Sequence, residues 1–317
     1  MKTLFFGTPA LAVPYLELLR QKTEVLAVVT NPDEPAGRGY TLQASPVKQS
    51  AVANALPVLQ PASVKETAFI QQIKAFNADL AIVVAYGKLL PKALLESTRH
   101  GFLNVHFSLL PAYRGAAPIQ RALMAGDPQT GVSLFWLDEG MDTGTLFLQK
   151  SLSIKDDEDA DALRARLIPF GVEALAEILG RIEKNQITRQ PQTGAVSLAP
   201  PLSKEEGRID WSKPARHISN LVRGVTPWPG ASTLIPLAGK PTLLKILKAS
   251  PVLSWEGSSA SPAGTVVGLA KEEGFVVKCG QEFLKVLHVQ PEGKRPMSAW
   301  AFWQGARLLI GEILSSR

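Results

Sequence analysis

MKTLFFGTPALAVPYLELLRQKTEVLAVVT, residues 1–30, carries in one line the pattern on which the fold turns. Residues 3–6 are an apolar run of strand length. Gly7, Thr8 and Pro9 break it, residues 9–20 repeat apolar positions at helical spacing, and residues 24–30 (EVLAVVT) form a second β-branched run. A single Lys ahead of an apolar stretch could pass for a leader peptide, but the Gly-Thr-Pro break and Glu17 fit a strand, a turn and a helix better. The unit recurs downstream. A helix is expected over 63–76 and strands over 80–85 (LAIVVA), 102–107 and 132–137. Val-, Ile- and Leu-rich strands separated by helices predict a parallel sheet covered on both faces, a doubly wound, Rossmann-like α/β domain. Ligands of such a sheet bind at the carboxyl ends of its strands. The first turn, GTPALA, has one Gly where a dinucleotide fingerprint needs three, which argues against a nicotinamide-dependent oxidoreductase.

Working outward, residues 161–184 read as a long helix interrupted near Pro169 and Gly171. Residues 188–207 are polar and rich in Pro and Gly, and predict a linker. Beyond it come a short helix (ARHISNLVRGV), four strand-like runs (PTLLKILKA, GTVVGL, GFVVKC, EFLKVLHV) and an amphipathic stretch over 298–314 expected as a closing helix. Short strands punctuated by Pro and Gly predict a small β-barrel. The expected organisation is therefore a first domain at 1–187, a linker at 188–207 and a second domain at 208–317. The net charge of +6 is unevenly spread: residues 208–317 hold 14 Lys and Arg against 7 Asp and Glu, whereas the rest is nearly neutral. A basic module beside a neutral one suggests a polyanionic partner. Candidate phosphate contacts there are Lys213, Arg216, Arg223, Lys245 and Lys248, and Trp211 and Trp228 read as buried anchors. One Cys and four scattered His offer no internal disulfide and no metal cluster, so no metal is expected and a reducing compartment is. No apolar run approaches the roughly 18 residues of a membrane span.

The chemistry concentrates in NVHFSLLPAYRGAAPIQRAL, residues 104–123. A strand ends near His106, a Pro/Gly loop follows, and Pro118 suits the first turn of the next helix. Period-two alternation puts the Asn104 amide and the His106 imidazole on one face at the carboxyl end of a strand, where both can address one oxygen. The second piece is DEGMDTG, residues 138–144, a Gly-bearing turn from which Asp142 can reach His106 and orient its ring. Together the three groups suit a charged tetrahedral intermediate. No nucleophilic Cys or G-x-S-x-G elbow accompanies them, which favours direct transfer between two bound substrates.

These residues resemble those of the 10-formyltetrahydrofolate-dependent formyltransferases: Asn104, His106 and Asp142, with SLLP at 108–111 and the DEGMDTG turn. FGTPALAVPYLELL, NPDEPAGRG, SPVK, VVAYGKLLP, LSKEEGRIDW and TPWPGA bring the resemblance closest to the branch acting on methionyl-tRNA, over residues 4 to 315. The resemblance implies an OB-like second domain, formyl transfer from 10-formyltetrahydrofolate to the amino group of initiator methionyl-tRNA, and a cytoplasmic monomer. It implies that Asn104 and His106 hydrogen-bond the formyl oxygen, that Asp142 keeps His106 protonated, and that Ser108, Leu109, Leu110 and Pro111 line the folate site. It also implies that the loop at 31–46 reads tRNA, with Arg38 in its Gly-Arg-Gly core. Where the family pattern carries Lys after this Gly, the chain has Tyr40 and Thr41, which shifts the expected contact toward Arg38 and stacking by Tyr40; Phe107 stands where the pattern is often small. A formyltransferase for a nucleotide sugar or glycinamide ribonucleotide would share the catalytic set but needs neither this loop nor a basic second domain. A non-catalytic RNA-binding protein would leave Asn104, His106 and Asp142 without a purpose.

Overall fold

The computed structural model describes residues 1–36, 41–237, 240–256, 260–306 and 308–315. These divide into two compact units. One comprises residues 1–118, 129–153 and 165–200, and the other 119–128, 154–164 and 201–317.

The first unit opens with β1 (Lys2–Gly7), α1 (Val13–Lys22) and β2 (Glu24–Val29), as the first thirty residues predict. β3 (Glu34–Ala36) and β4 (Thr41–Gln43) pair antiparallel. Along the chain then come α2 (Pro46–Ala53), β5 (Val58–Leu59), α3 (Thr67–Ala75), β6 (Leu80–Val84), α4 (Lys92–Leu95), β7 (Phe102–His106), β8 (Arg114–Gly115), α5 (Pro118–Ala125), β9 (Gln129–Trp136), β10 (Leu146–Ser153), α6 (Ala160–Glu183) and β11 (Leu198–Ala199), of which α5 beyond Pro118 and the first turn of α6 fall in the second unit. The main sheet has the order β10-β9-β7-β6-β1-β2-β5. β1, β2, β5, β6 and β7 are parallel, and the chain reverses its winding between β1 and β6, the switch point at which such sheets open a crevice. All five residues of β6 are buried, as a strand covered on both faces requires. Helices start where local chemistry directs: Ser45 Oγ accepts the Lys48 amide at 3.1 Å and Pro46 follows as the first residue of α2.

The sheet differs from the expectation at one edge. β9 runs antiparallel to β7, and β10, unforeseen in the sequence, antiparallel to β9. Helix α6 also runs unbroken through Pro169 and Gly171. The carbonyl of Ile168 accepts the Tyr15 hydroxyl at 3.1 Å, and a Cβ at Gly171 would stand 2.2 Å from that hydroxyl oxygen, so the two apparent helix breakers form the seat of Tyr15.

The second unit holds α7 (Ala215–Val225), β12 (Ala231–Leu237), β13 (Lys240–Val252), β14 (Val266–Ala270), β15 (Gly274–Lys278), β16 (Phe283–Pro291), β17 (Met297–Ser298) and α8 (Ala299–Ala306). The strands form one antiparallel sheet, β12-β13-β16-β15-β14 with β17 on β16, curled in the OB-like manner around a core that includes Ile235, Ile246, Phe275 and Val286. The expected helix over 298–314 is only α8. The tail after it is extended: Ser315 bridges Leu234 of β12, Ile313 bridges Thr265, and Val266 exchanges hydrogen bonds with Gly311 and Glu312. These edge strands have unpaired amides and carbonyls, and the tail satisfies them from both sides, which holds it out of helix. Trp211 is buried with its indole N–H on Thr233 Oγ1 at 3.0 Å, but Trp228 is 54% exposed, not the buried anchor expected. Among the described residues no helix is long and apolar enough to cross a membrane.

Candidate active site

A cavity of about 450 Å³ opens at the carboxyl ends of β6 and β7. Its walls are Val83 and Ala85–Leu90 after β6, Asn104–Phe107 at the end of β7, Gly115, Ala116 and Pro118, and the turn from Leu137 to Asp142. Asn104, His106 and Asp142 all line it. Asn104 and His106 stand two apart on β7, on one face. β9 ends opposite Leu103, so the turn after it must run back along β7 to bring Asp142 to His106. Asp138 shapes that turn, its Oδ1 accepting from the Gly140 amide and the Thr143 hydroxyl. Gly144 closes it so tightly that a Cβ would fall 1.7 Å from the Trp136 carbonyl oxygen.

His106 is buried, and its Nε2–H donates to the Tyr113 carbonyl at 2.9 Å. Its Nδ1 then faces Asp142 Oδ2 at 3.6 Å, while the same carboxylate oxygen accepts the Gly115 amide at 2.8 Å. Burial outweighs both Asp142 and the Tyr113 carbonyl and holds the imidazole below its ordinary pKa. Desolvation thus works against the protonated His106 that the resemblance implies, while the Asp142 carboxylate at 3.6 Å works toward it. The Asn104 carboxamide has no partner among the described residues and is free to donate into the cavity.

Ser108, Leu109, Leu110 and Pro111 do not line this cavity. The Ser108 hydroxyl donates to the Ala112 carbonyl at 2.6 Å, Ser133 Oγ donates to the Ser108 carbonyl at 2.6 Å and accepts from the Leu110 amide, and Gln149 donates to the Leu110 carbonyl. The stretch is used up in fixing the loop that carries Tyr113 and Gly115. Val83 and residues 85–90 form the corresponding wall of this cavity. These could have been found from the rule that ligands sit past strand ends, since β6 stops at Val84. Apolar Val83, Leu90 and Leu137 flank Tyr86, whose buried hydroxyl has no partner among the described residues.

The candidate contacts for nucleic acid scatter. Arg38 and Tyr40 lie outside the described residues. Lys213 and Arg216 are exposed beside Asp210 and Asp156, each at 3.8 Å. Arg223 is turned inward: it donates to the carbonyls of Lys155 and Glu158 and to Asn220 Oδ1, so its guanidinium is occupied within its own unit.

A doubly wound α/β unit with an Asn/His/Asp cavity at its strand ends, followed by a curled antiparallel sheet, suits a group-transfer enzyme, and comparison gives it a family. The formyl transferase family model matches residues 1–179, the model of the formyl transferase C-terminal domain matches residues 201–307, and the chain belongs to the formyl transferase family. Its relatives narrow the branch. It is 46% identical to the methionyl-tRNA formyltransferase of Thermus thermophilus over 95% of both chains, and 45% identical to that of Thermodesulfovibrio yellowstonii over 97% of both. The N-formyltransferase of Helicobacter canadensis, solved with folinic acid and dTDP-3-aminofucose, shares the fold at a TM-score of 0.63 and 18% identity, covering 90% of this chain and 99% of that one.

Proposed function

We propose that the protein transfers the formyl group of 10-formyltetrahydrofolate to the free amino group of initiator methionyl-tRNA. The observation that carries this reading is the approach of Asp142 to His106 at 3.6 Å in a cavity that Asn104 also lines, in a chain 45–46% identical to methionyl-tRNA formyltransferases over nearly its whole length. The folate carries the formyl group as an activated amide on N10. Asn104 donates to the formyl oxygen as charge develops there. His106, neutral at rest, takes the proton that the attacking amine sheds. The imidazolium so formed is stabilised by Asp142, and it returns the proton to the departing N10. Protonation of His106 thus accompanies the transfer. Bond to bond, the amine nitrogen gains the formyl carbon, N10 loses it, and one proton moves between them.

In this reading residues 1–187 are the catalytic domain and 208–317 a tRNA-binding domain, with Lys213 and Arg216 among its phosphate contacts and Arg38 and Tyr40 contacting the acceptor end from the 31–46 loop. The enzyme works as a cytoplasmic monomer. Transfer from 10-formyltetrahydrofolate to charged initiator methionyl-tRNA tests it, with uncharged tRNA and free methionine as controls. Formylation of the charged tRNA alone is expected. Transfer to a nucleotide-linked amino sugar in its place would overturn the acceptor and leave the folate cavity standing.

A further inference from the structure

Between α6 and the second family domain the chain would be read as a passive connector, yet residues 188–200 are bonded to the catalytic loops. β11 pairs in parallel with β8, the Arg114 amide donates to the Ser197 carbonyl at 2.9 Å, and the Ala117 amide donates to the Ala199 carbonyl at 3.1 Å. At the centre of this strap is Gln192. Its Nε2 donates to the Asp142 carbonyl and to the Gly144 carbonyl, each at 2.8 Å. Its Oε1 accepts from Arg114, at 3.2 Å from Nε and 2.6 Å from Nη2. Every bond is directional. Turning the Gln192 amide over would set its donors against the guanidinium, so Arg114 fixes which end faces the turn.

The residues bracketing Arg114 are those that address the catalytic pair. The Tyr113 carbonyl accepts from His106, and the Gly115 amide donates to the Asp142 carboxylate. Asp142 itself stands at φ 55°, in the left-handed region that residues with a Cβ adopt only when their surroundings hold them there. We infer that Gln192 is a positioning residue for the transfer step: its carboxamide clasps the backbone on both sides of Thr143, holds Asp142 in its left-handed conformation, and so sets the carboxylate against His106. This inference rests on the role proposed for Asp142. It adds that the geometry of the catalytic turn is dictated from the segment joining the two family domains.

Three variants of the full chain test it. Gln192→Ala removes the clasp. Gln192→Glu keeps the size and the pairing with Arg114 but loses both donated bonds. Thr188→Ala removes a bond elsewhere on the strap, from Arg181 at 2.8 Å, and is the control. For both Gln192 variants kcat is expected to fall tens of fold while KM for folate and for tRNA stays within twofold. Thr188→Ala should leave kcat unchanged. Hydrogen exchange read by mass spectrometry on a peptide covering residues 138–144 supplies a measure independent of any acceptor. Exchange there should speed at least tenfold in Gln192→Ala, with the amides of β9 unaffected. Unchanged exchange over 138–144 overturns the inference whichever acceptor the enzyme uses. So does a kcat retained within twofold in both Gln192 variants, or a loss of activity matched in Thr188→Ala. Accelerated exchange with no formylation by the wild-type protein would keep the clasp and move the failure to the proposed reaction.

Discussion

The two units place function in different ways. In the first, three side chains converge on one cavity at the ends of adjacent strands, and each has a definite geometry. In the second, the basic excess is spread over a curled sheet, and its cations meet different fates: Arg223 is folded into the structure, while Lys213 and Arg216 are exposed beside acids. A cavity excludes water and concentrates electrostatics, so each group in it matters greatly, whereas a solvated face is screened and shares its work among many groups. Single substitutions should therefore separate the two units by orders of magnitude.

Asp142→Ala should have the largest effect. By analogy with the loss of the aspartate in other His-Asp pairs, kcat should fall on the order of 10³–10⁴-fold with little change in either KM. A single-turnover rate equal to wild type would end the distinction at its root. Asn104→Ala comes next, at about 10²–10³ in kcat, or roughly 2.7–4 kcal/mol, the usual cost of removing one donor to a developing oxyanion. A rise in KM for folate with kcat intact would instead make Asn104 a binding residue.

The acidity of His106 sharpens the comparison through pH. Its folded-state pKa is lowered, so the neutral form should persist to below the ordinary value of about 6.5, and the acid limb of kcat should fall at lower pH than that. The sign for stability is the same. The unfolded imidazole takes a proton near about 6.5, before the folded one does, so this contribution is complete above that value and is lost as pH falls through it toward the folded pKa. A kcat that instead falls as pH rises through the His106 titration would show that the ring works protonated.

What the sequence revealed and what it concealed divide along the same line. Asn104, His106 and Asp142 were legible because strand alternation and a Gly-bearing turn are local patterns with fixed geometry. The part played by Ser108–Pro111 was not. The motif marks the loop that positions Tyr113 and Gly115, but whether it touches ligand depends on Ser133 and Gln149, distant in sequence. The strap at 188–200 hid for a similar reason: Pro, Gly and polar residues spell loop, and its hydrogen bonds all go to partners far along the chain. The direction of β9 and the extended tail after α8 are likewise settled by which edge lies open, a tertiary fact. Charge was the least legible signal, since a count of Lys and Arg does not tell a turned-in guanidinium from a free one.

Arg223 gives that last point a test of intermediate size. Arg223→Ala removes the donor to the exposed carbonyl of Lys155 and the part-buried carbonyl of Glu158, at about 1 kcal/mol, the usual net worth of such a bond. Lower resistance to urea is expected, with the salt dependence of tRNA binding unchanged. A reduced salt slope at normal stability would return Arg223 to the binding face.

Lys213→Ala should give the smallest effect, and its form matters more than its size. The ammonium is half exposed, and its pairing with Asp210 at 3.8 Å contributes about 0–1 kcal/mol, so folding should scarcely change. If Lys213 neutralises one phosphate, the slope of log K against log salt should fall by about 1, and affinity should weaken evenly across tRNA sequences. The measurement is tRNA binding at several salt concentrations for wild type and variant together. Parallel lines would exclude Lys213 from the phosphate-tracking face. A shallower line at constant kcat would show the second unit acting through diffuse charge, where removing one cation costs a few-fold in binding and nothing in chemistry.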